Sequence, residues 1–345
     1  MQKKKIGIIG ATGYTGSELV RILANHPHVE ITVITSETYA GKKFSDVHSY
    51  LKGHVDFTLS SVEDLKPEVL DLVFLALPHG VSMDFVKKFQ ETPLKIIDLS
   101  GDFRLSDSSI YETWYQKKHS HSEGFKEAVF GSPELFSDRI KKARLIANPG
   151  CYPTSAILAL APLLTHKLIE TAPIIVDSKS GVTGAGVKPK ETTHFSNVHD
   201  NFKAYGLKNH RHTIEIEEIA DKIAGSKTTI QFTPHLLPVD RGILTTVYAR
   251  PLQQINEETV QNYYKEFYQN APFVHITDRP PSIKDVRASN HCAIYATYDP
   301  RTNLIVAVSV IDNLVKGAAG QAIQNMNILF GWEETTGLNQ LPIHP

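Results

Sequence analysis

Cysteine is nearly absent: two residues in 345, Cys151 and Cys292. That is too few for a disulfide framework and fits a chain that keeps its thiols reduced. No apolar run approaches the roughly 18 residues of a membrane span, and the first residues enter a strand pattern without a secretory leader. The formal charge is −1, so no global basic field exists to attract nucleic acid or a membrane surface. Low-complexity segments and internal repeats are also missing. These absences leave a cytoplasmic enzyme or binding protein that takes small molecules. A length of 345 residues at 41% hydrophobic content is enough for about two domains with substantial cores.

The N-terminal third alternates strands and helices. Strand patterns cover Lys5–Ile9, Val29–Thr35, Asp71–Leu77 and Lys95–Leu99, with helical periodicity after Ser17 and over Ser82–Gln90. Strands separated by helices imply a parallel, Rossmann-type sheet. Beyond Cys151 the pattern changes. Strands at 174–179, 228–233, 243–250 and 303–311 have fewer helices between them, with helices at 213–224 and 257–269. A second, α+β domain with a mixed, largely antiparallel sheet is expected. A last helical run, 313–330, carries Gly317, Ala318, Ala319 and Gly320. It is expected to return to the first domain, giving 1–148 plus 313–345 and 149–312.

Two segments carry the chemistry. Gly10, Gly13 and Gly16 lie between the first strand and an amphipathic helix, where glycine lets backbone N–H groups approach a pyrophosphate. The spacing is also that of short-chain dehydrogenases, but the one Tyr-x-x-x-Lys match, Tyr39 to Lys43, comes too early in the chain to serve a nicotinamide. The choice between NAD and NADP, read after the second strand, is mixed: Glu37 suits a ribose hydroxyl, while Ser36, Lys42 and Lys43 suit a 2′-phosphate. The second segment, Asn148–Thr154, places Cys151 after a Pro-Gly turn and at the start of an apolar helix. A helix N-terminus favours the thiolate, the form that acts as nucleophile. Cys292, in a strand-like run, reads as packing.

Seven segments in order extend the picture: GATGYTGSEL (Gly10–Leu19), DLSGDFRL (Asp98–Leu105), NPGCYPT (Asn148–Thr154), SGVTGAG (Ser180–Gly186), NHRHTIEIE (Asn209–Glu217), PHLLPVDRGILTTVYA (Pro234–Ala249) and DNLVKGAAGQAIQNMN (Asp312–Asn327). With these the chain resembles the N-acetyl-γ-glutamyl-phosphate reductases, relatives of aspartate-semialdehyde dehydrogenase, from near residue 5 to near 338. The resemblance implies the two-domain fold, NADP(H) as cofactor, and reduction of N-acetylglutamyl phosphate to the semialdehyde and phosphate in arginine biosynthesis. Phosphate would be a substrate in the reverse direction, and the assembly a homodimer or homotetramer, with Pro234–Ala249 suited to a sheet-mediated interface. The chain departs from the pattern at Glu37, where many relatives have Arg.

The resemblance also assigns roles. Cys151 forms a thioester and His210 serves as general acid–base. Arg104 takes the phosphate, with Arg211 and Arg241 as weaker candidates for the substrate's anionic groups, and His212 and Glu215 orient the substrate or the cysteine. Gly10, Thr12, Gly13, Tyr14, Thr15, Gly16 and Ser36 hold the dinucleotide, joined by Ser180 and Gly181 from the second glycine-rich turn and by Asn313, Lys316 and Gly317. No metal is expected: the pairs His119/His121 and His210/His212 lack accompanying Cys-x-x-Cys. Tyr263, Tyr264, Phe267 and Tyr268 read as a helix packing face. Alternatives are an acyl-phosphate reductase for carrier-bound aminoadipate or for aspartate, and a non-catalytic NADP-binding regulator.

Overall fold

The computed structural model describes residues 2–344. These form two compact units: one holds the residues up to Pro149 plus Ala318–Asn339, the other Gly150–Gly317 plus the residues from Gln340. The passage from the first unit to the second thus falls one residue before Cys151.

The first unit is built on six parallel strands: β1 (Lys4–Ile9), β2 (Val29–Thr35), β3 (Leu72–Leu75), β4 (Lys95–Asp98), β5 (Val129–Phe130) and β6 (Leu145–Ala147). Their order is β2-β1-β3-β4-β6-β5. β1 pairs with β2 on one side and β3 on the other, so the direction of winding reverses there. Ligands of doubly wound sheets bind at the carboxyl ends of the strands flanking such a reversal, and the glycine turn leaves β1 at that point. β3, buried at every position, shows why parallel strands read as unbroken apolar runs. β5 and β6 were not anticipated; two or three residues are too few to show a period. The helices Ser108–Tyr115 and Pro133–Ile140 were also missed, although each begins with a helix-start signal: the Asp107 side chain accepts from the N–H groups of Ser109 and Ile110, and Pro133 occupies a first-turn position.

The second unit has seven strands: β7 (Ile174–Gly181), β8 (Lys203–Ala204), β9 (Ile230–Leu237), β10 (Ile243–Ala249), β11 (Val274–Ile276), β12 (Cys292–Asp299) and β13 (Leu304–Ile311). They are ordered β11-β12-β13-β10-β7-β9-β8. The pairs β11–β12 and β7–β9 are parallel and the others antiparallel, so the sheet is mixed and largely antiparallel. The helix Cys151–Thr165 is buried along almost its whole length, as its predominantly apolar sequence requires. Pro162 lies inside it and cannot donate to the Leu158 carbonyl four residues back. The Tyr268 hydroxyl donates to Leu158 O instead, at 2.6 Å, and Tyr264 to Ala159 O at 2.5 Å. The tyrosines of helix Glu257–Phe267 and its C-cap are therefore core residues that satisfy a proline-broken helix.

The C-terminal run is not one regular helix. The Asp312 carboxylate accepts from Leu314 N and Val315 N, and Gly317 N reaches back to Asp312 O. This opens a π-helical turn, Val315–Ala319, before the α-helix Gly320–Leu329. π-turns of this kind recur at functional sites.

Candidate active site

In the first unit, Gly10 has φ +84°, and a Cβ there would lie 2.4 Å from Ala76 O. At Gly16 a Cβ would lie 2.3 Å from Gly10 O. Both glycines are therefore demanded by the fold. Gly13 is different. Its φ is −74°, open to any residue, and a Cβ would meet nothing closer than Gly10 O at 3.8 Å. It is the N-cap of helix Tyr14–Leu23, which has no side-chain cap and no acidic residue in its first turn. An N-terminus stripped of competing side chains fits a dinucleotide pyrophosphate. Ser36, at the end of β2, is buried with its Oγ 3.0 Å from Thr12 Oγ1, which joins two of the expected contacts. Tyr14 and Thr15 open the helix. Gly16→Ala is expected to destabilise the fold by about 1–3 kcal/mol, the usual cost of overpacking, seen as a lower melting temperature. Gly13→Ala is expected to melt as wild type while binding a reduced nicotinamide dinucleotide about tenfold or more weakly, about 1.4 kcal/mol; fluorescence titration separates the two glycines.

The DLSGDFRL segment is a bracing network at the ends of β4 and β6. Asp98 accepts from Ser100 N and Oγ, each at 2.9 Å. Asp102 accepts from Gly80 N, Met83 N and the Tyr111 hydroxyl. Burial, then the neighbouring Asp102, pushes the Asp98 carboxyl up to about 7. Arg104, expected to take phosphate, is only 6% exposed and donates to Asn148 O at 2.8 Å and Leu99 O at 2.7 Å. Its guanidinium ties two strand ends together rather than presenting an open fork, because main-chain carbonyls at those ends need donors.

In the second unit, Cys151 is the first residue of its helix, with Gly150 as an uncapped N-cap. Gly150 N donates to Glu215 Oε1 at 2.7 Å, and Glu215 is 1% exposed. Glu215 thus holds the cysteine turn from the first turn of helix His212–Ala224. A Cβ on Gly317 would lie 2.8 Å from Cys151 Cβ, so the π-turn closes directly on the cysteine. Gly317, expected at the cofactor, is a neighbour of the thiol.

The other cofactor residues expected in this unit have internal roles too. Asn313 accepts from Gly242 N at 2.8 Å and donates to Thr183 Oγ1 at 2.9 Å. Ser180 is buried with its hydroxyl on Gly181 O, and a Cβ on Gly181 would lie 2.7 Å from Asp240 O. Lys316 is fully buried, its ammonium 5.7 Å from the Phe273 ring centre. These residues also join close-packed backbones in the second unit.

His210 stands in an aromatic nest: Tyr152, Tyr205, His212 and Phe232 have ring centres 5.7, 5.5, 4.9 and 5.4 Å from its own. Burial, then the Arg211 charge, push its imidazole down to about 4. Tyr205, which the sequence did not single out, donates to the Tyr152 hydroxyl at 3.2 Å, and Tyr152 donates to His235 O at 3.0 Å. Burial, then Tyr205, hold the Tyr152 phenol above its ordinary value. No sequence signal marks Tyr205; only its position in the fold brings it to Tyr152. Arg211 is exposed beside His210, and Arg241 lies 3.6 Å from the Asp312 carboxylate. His212 opens its helix and packs its ring on Tyr152, at 5.9 Å. Among the described residues no group of three or more His, Cys, Asp or Glu side chains is arranged to hold a metal. Cys292 is buried, 3.4 Å from Ser309 Oγ.

Comparison with known proteins settles the kinship. Residues 5–143 match the semialdehyde dehydrogenase NAD-binding domain, and residues 151–313 the semialdehyde dehydrogenase dimerisation domain. The chain is 50% identical to the N-acetyl-gamma-glutamyl-phosphate reductase of Pelotomaculum thermopropionicum over 99% of both chains. It is 48% identical to that of Clostridium novyi over 97% of this chain and 98% of the other. The chain belongs to the N-acetyl-γ-glutamyl-phosphate reductase family. Among solved structures, aspartate semialdehyde dehydrogenase II of Vibrio cholerae, complexed with ASA, shares the fold at TM-score 0.74 and 17% identity, over 96% of this chain and 99% of that one. The Candida albicans enzyme, solved with NADP, does so at 0.72 and 18%, over 95% and 99%. In this family setting the glycine turn belongs to the NAD-binding domain, while Cys151, His210 and Glu215 belong to the dimerisation domain.

Proposed function

We propose that this chain reduces N-acetylglutamyl 5-phosphate to N-acetylglutamate 5-semialdehyde with release of phosphate, using NADPH. The observation that carries the reading is the Cys151 turn: a cysteine at a helix start, its preceding amide held by buried Glu215 and its Cβ faced by Gly317, in a chain of this family. Cys151 attacks the acyl carbon as the carbon–oxygen bond to phosphate breaks, leaving a thioester. Gly10–Gly16 would hold the dinucleotide and Ser36, Lys42 and Lys43 its 2′-phosphate, and NADPH bound there would supply the hydride that reduces the thioester. Expulsion of the Cys151 thiolate then frees the aldehyde. Arg104, with Arg211 and Arg241 as weaker candidates, supplies the guanidinium for the substrate's anionic groups. We assign the dimerisation domain, including Pro234–Ala249, to homo-oligomer contacts.

The test runs the reaction backwards. N-acetylglutamate semialdehyde, phosphate and NADP are expected to give NADPH at a rate that thiol alkylation abolishes. Absence of turnover by folded protein overturns the reading. Faster phosphate-dependent oxidation of aspartate semialdehyde would move it to the aspartate branch.

A further inference from the structure

Asn148 follows β6 directly and precedes Cys151 by three residues. It is fully buried, and each of its polar atoms has a partner. Its amide donates to Asp98 O at 2.8 Å, and its carbonyl accepts from Arg104 Nε at 2.8 Å. These two bonds fix the main chain at the ends of β4 and β6. The side chain belongs to a second line of bonds. Asn325, on helix Gly320–Leu329, donates from Nδ2 to Gly131 O at 2.8 Å and to Asn148 Oδ1 at 3.0 Å. Asn148 Nδ2 donates in turn to Ala318 O at 3.1 Å.

The ends of this line set its direction. Gly131 O and Ala318 O are carbonyls and can only accept. The Asn325 atom at Gly131 O is therefore nitrogen, the Asn148 atom that faces it is oxygen, and the Asn148 atom at Ala318 O is nitrogen. Gly131 makes room for the line, since a Cβ there would lie 2.5 Å from Asn325 Nδ2. Burying carboxamides is costly unless they are bonded. A bonded network of this kind specifies one arrangement of the backbone around it.

That backbone is Gly317–Ala318. Gly317 N is held by Asp312 O at 2.9 Å, and Ala318 O by Asn148. Between the two ties lies Gly317 Cα, where an added Cβ would stand 2.8 Å from Cys151 Cβ. We infer that Asn148 is a positioning residue for the thiol: its Nδ2–H holds Ala318 O so that Gly317 forms the wall against which Cys151 is set for attack on the acyl carbon. The attack itself rests on the proposed function. Because the Asn148 main chain is tied to β4 and to Arg104, loss of the side-chain bond displaces Gly317–Ala318 and leaves the strand end in place.

Asn148→Asp tests this directly. It keeps the shape and the oxygen that accepts from Asn325, and it replaces the donor to Ala318 O by a second acceptor. Ionised, the new carboxyl repels Ala318 O. Protonated, its O–H restores the bond. Burial raises a carboxyl, so the restored state is reached on moderate acidification. The charged groups at the Asn148 main chain are Arg104, on its carbonyl, and Asp98, whose carboxyl stands at about 7. Both are common to variant and wild type, so their ratio at each pH reports the new carboxyl.

In the reverse assay at neutral pH, kcat of Asn148→Asp is expected to fall by about tenfold to 10²-fold. KM for the semialdehyde and Kd for NADP are expected to hold, and the deficit to shrink as pH falls. A wall that has moved away leaves the thiol more open. Iodoacetamide is therefore expected to alkylate Cys151 faster than in wild type at neutral pH, and equally fast in acid. Asn325→Ala removes the brace and leaves Asn148 in place. It is expected to show the neutral-pH effects in smaller measure, and it decides the matter if Asn148→Asp does not fold. Folded variants with wild-type kcat and alkylation overturn the inference. A deficit in Asn148→Asp that ignores pH, or one that appears as weaker NADP binding, overturns it too. The alkylation arm needs no turnover: an inactive wild type would sink the proposed function, while the setting of the thiol would still be measured.

Discussion

Cys151→Ser is expected to lose phosphate-dependent turnover by on the order of 10³-fold or more, while NADPH binding and the melting temperature stay near wild type. The reasoning is chemical. Serine fits the helix start, and its oxygen occupies less space than sulfur, so neither Glu215 nor Gly317 is disturbed. What is lost is a nucleophile that reaches its anionic form near neutral pH. A serine would have to form an ester, which needs a base to remove its proton. Stopped-flow mixing with acyl phosphate should show no burst of phosphate release. A variant retaining a substantial rate would mean that the thiol is not the covalent nucleophile, and the reading of the 148–154 segment would fall with it.

The sequence showed the parallel sheet of the first unit through β1, β3 and β4, whose inner residues are buried and form apolar runs, and through β2, an edge strand that alternates buried and exposed residues. It showed Cys151 because a Pro-Gly turn before an apolar helix is a local pattern. What it could not show was partnership over distance. Glu215 entered the site only through the family resemblance, and only the fold brings it to Gly150 N, 65 residues away. Arg104 reads as an anion ligand, and the sequence does not reveal that it also donates to the Asn148 and Leu99 carbonyls at strand ends. Ser180, Gly181 and Asn313 fell in glycine-rich segments that resemble ligand loops. Glycine marks close approach without naming what approaches, and here it is the Asp240–Gly242 backbone. His-x-His invited a metal reading for the same reason: the pattern gives the spacing of two rings but conceals that an amide occupies one nitrogen of the first.

Gly317→Ala is expected to cost activity through the thiol and not through the cofactor. The added methyl would stand 2.8 Å from Cys151 Cβ and 3.3 Å from both Cys151 Cα and Ile311 Cδ1. The first separation is too short to persist, so something must move. The π-turn is tied down by Asp312, which accepts two of its amides and a third from Ala288 at 2.7 Å. Ile311 is a buried residue of β13, paired on both sides. Cys151, at a helix end and not fully buried, is the element that yields. A displacement near 1 Å at a reacting atom costs about 10²-fold in rate, against a stability loss of about 1–3 kcal/mol from overpacking. The expected result is therefore a kcat lower by about 10²-fold, slower alkylation of the thiol by iodoacetamide, and an unchanged Kd for NADPH. If the variant instead keeps kcat and its alkylation rate but loses NADPH affinity, Gly317 serves the dinucleotide, as its sequence alone implied, and the contact with Cys151 is incidental.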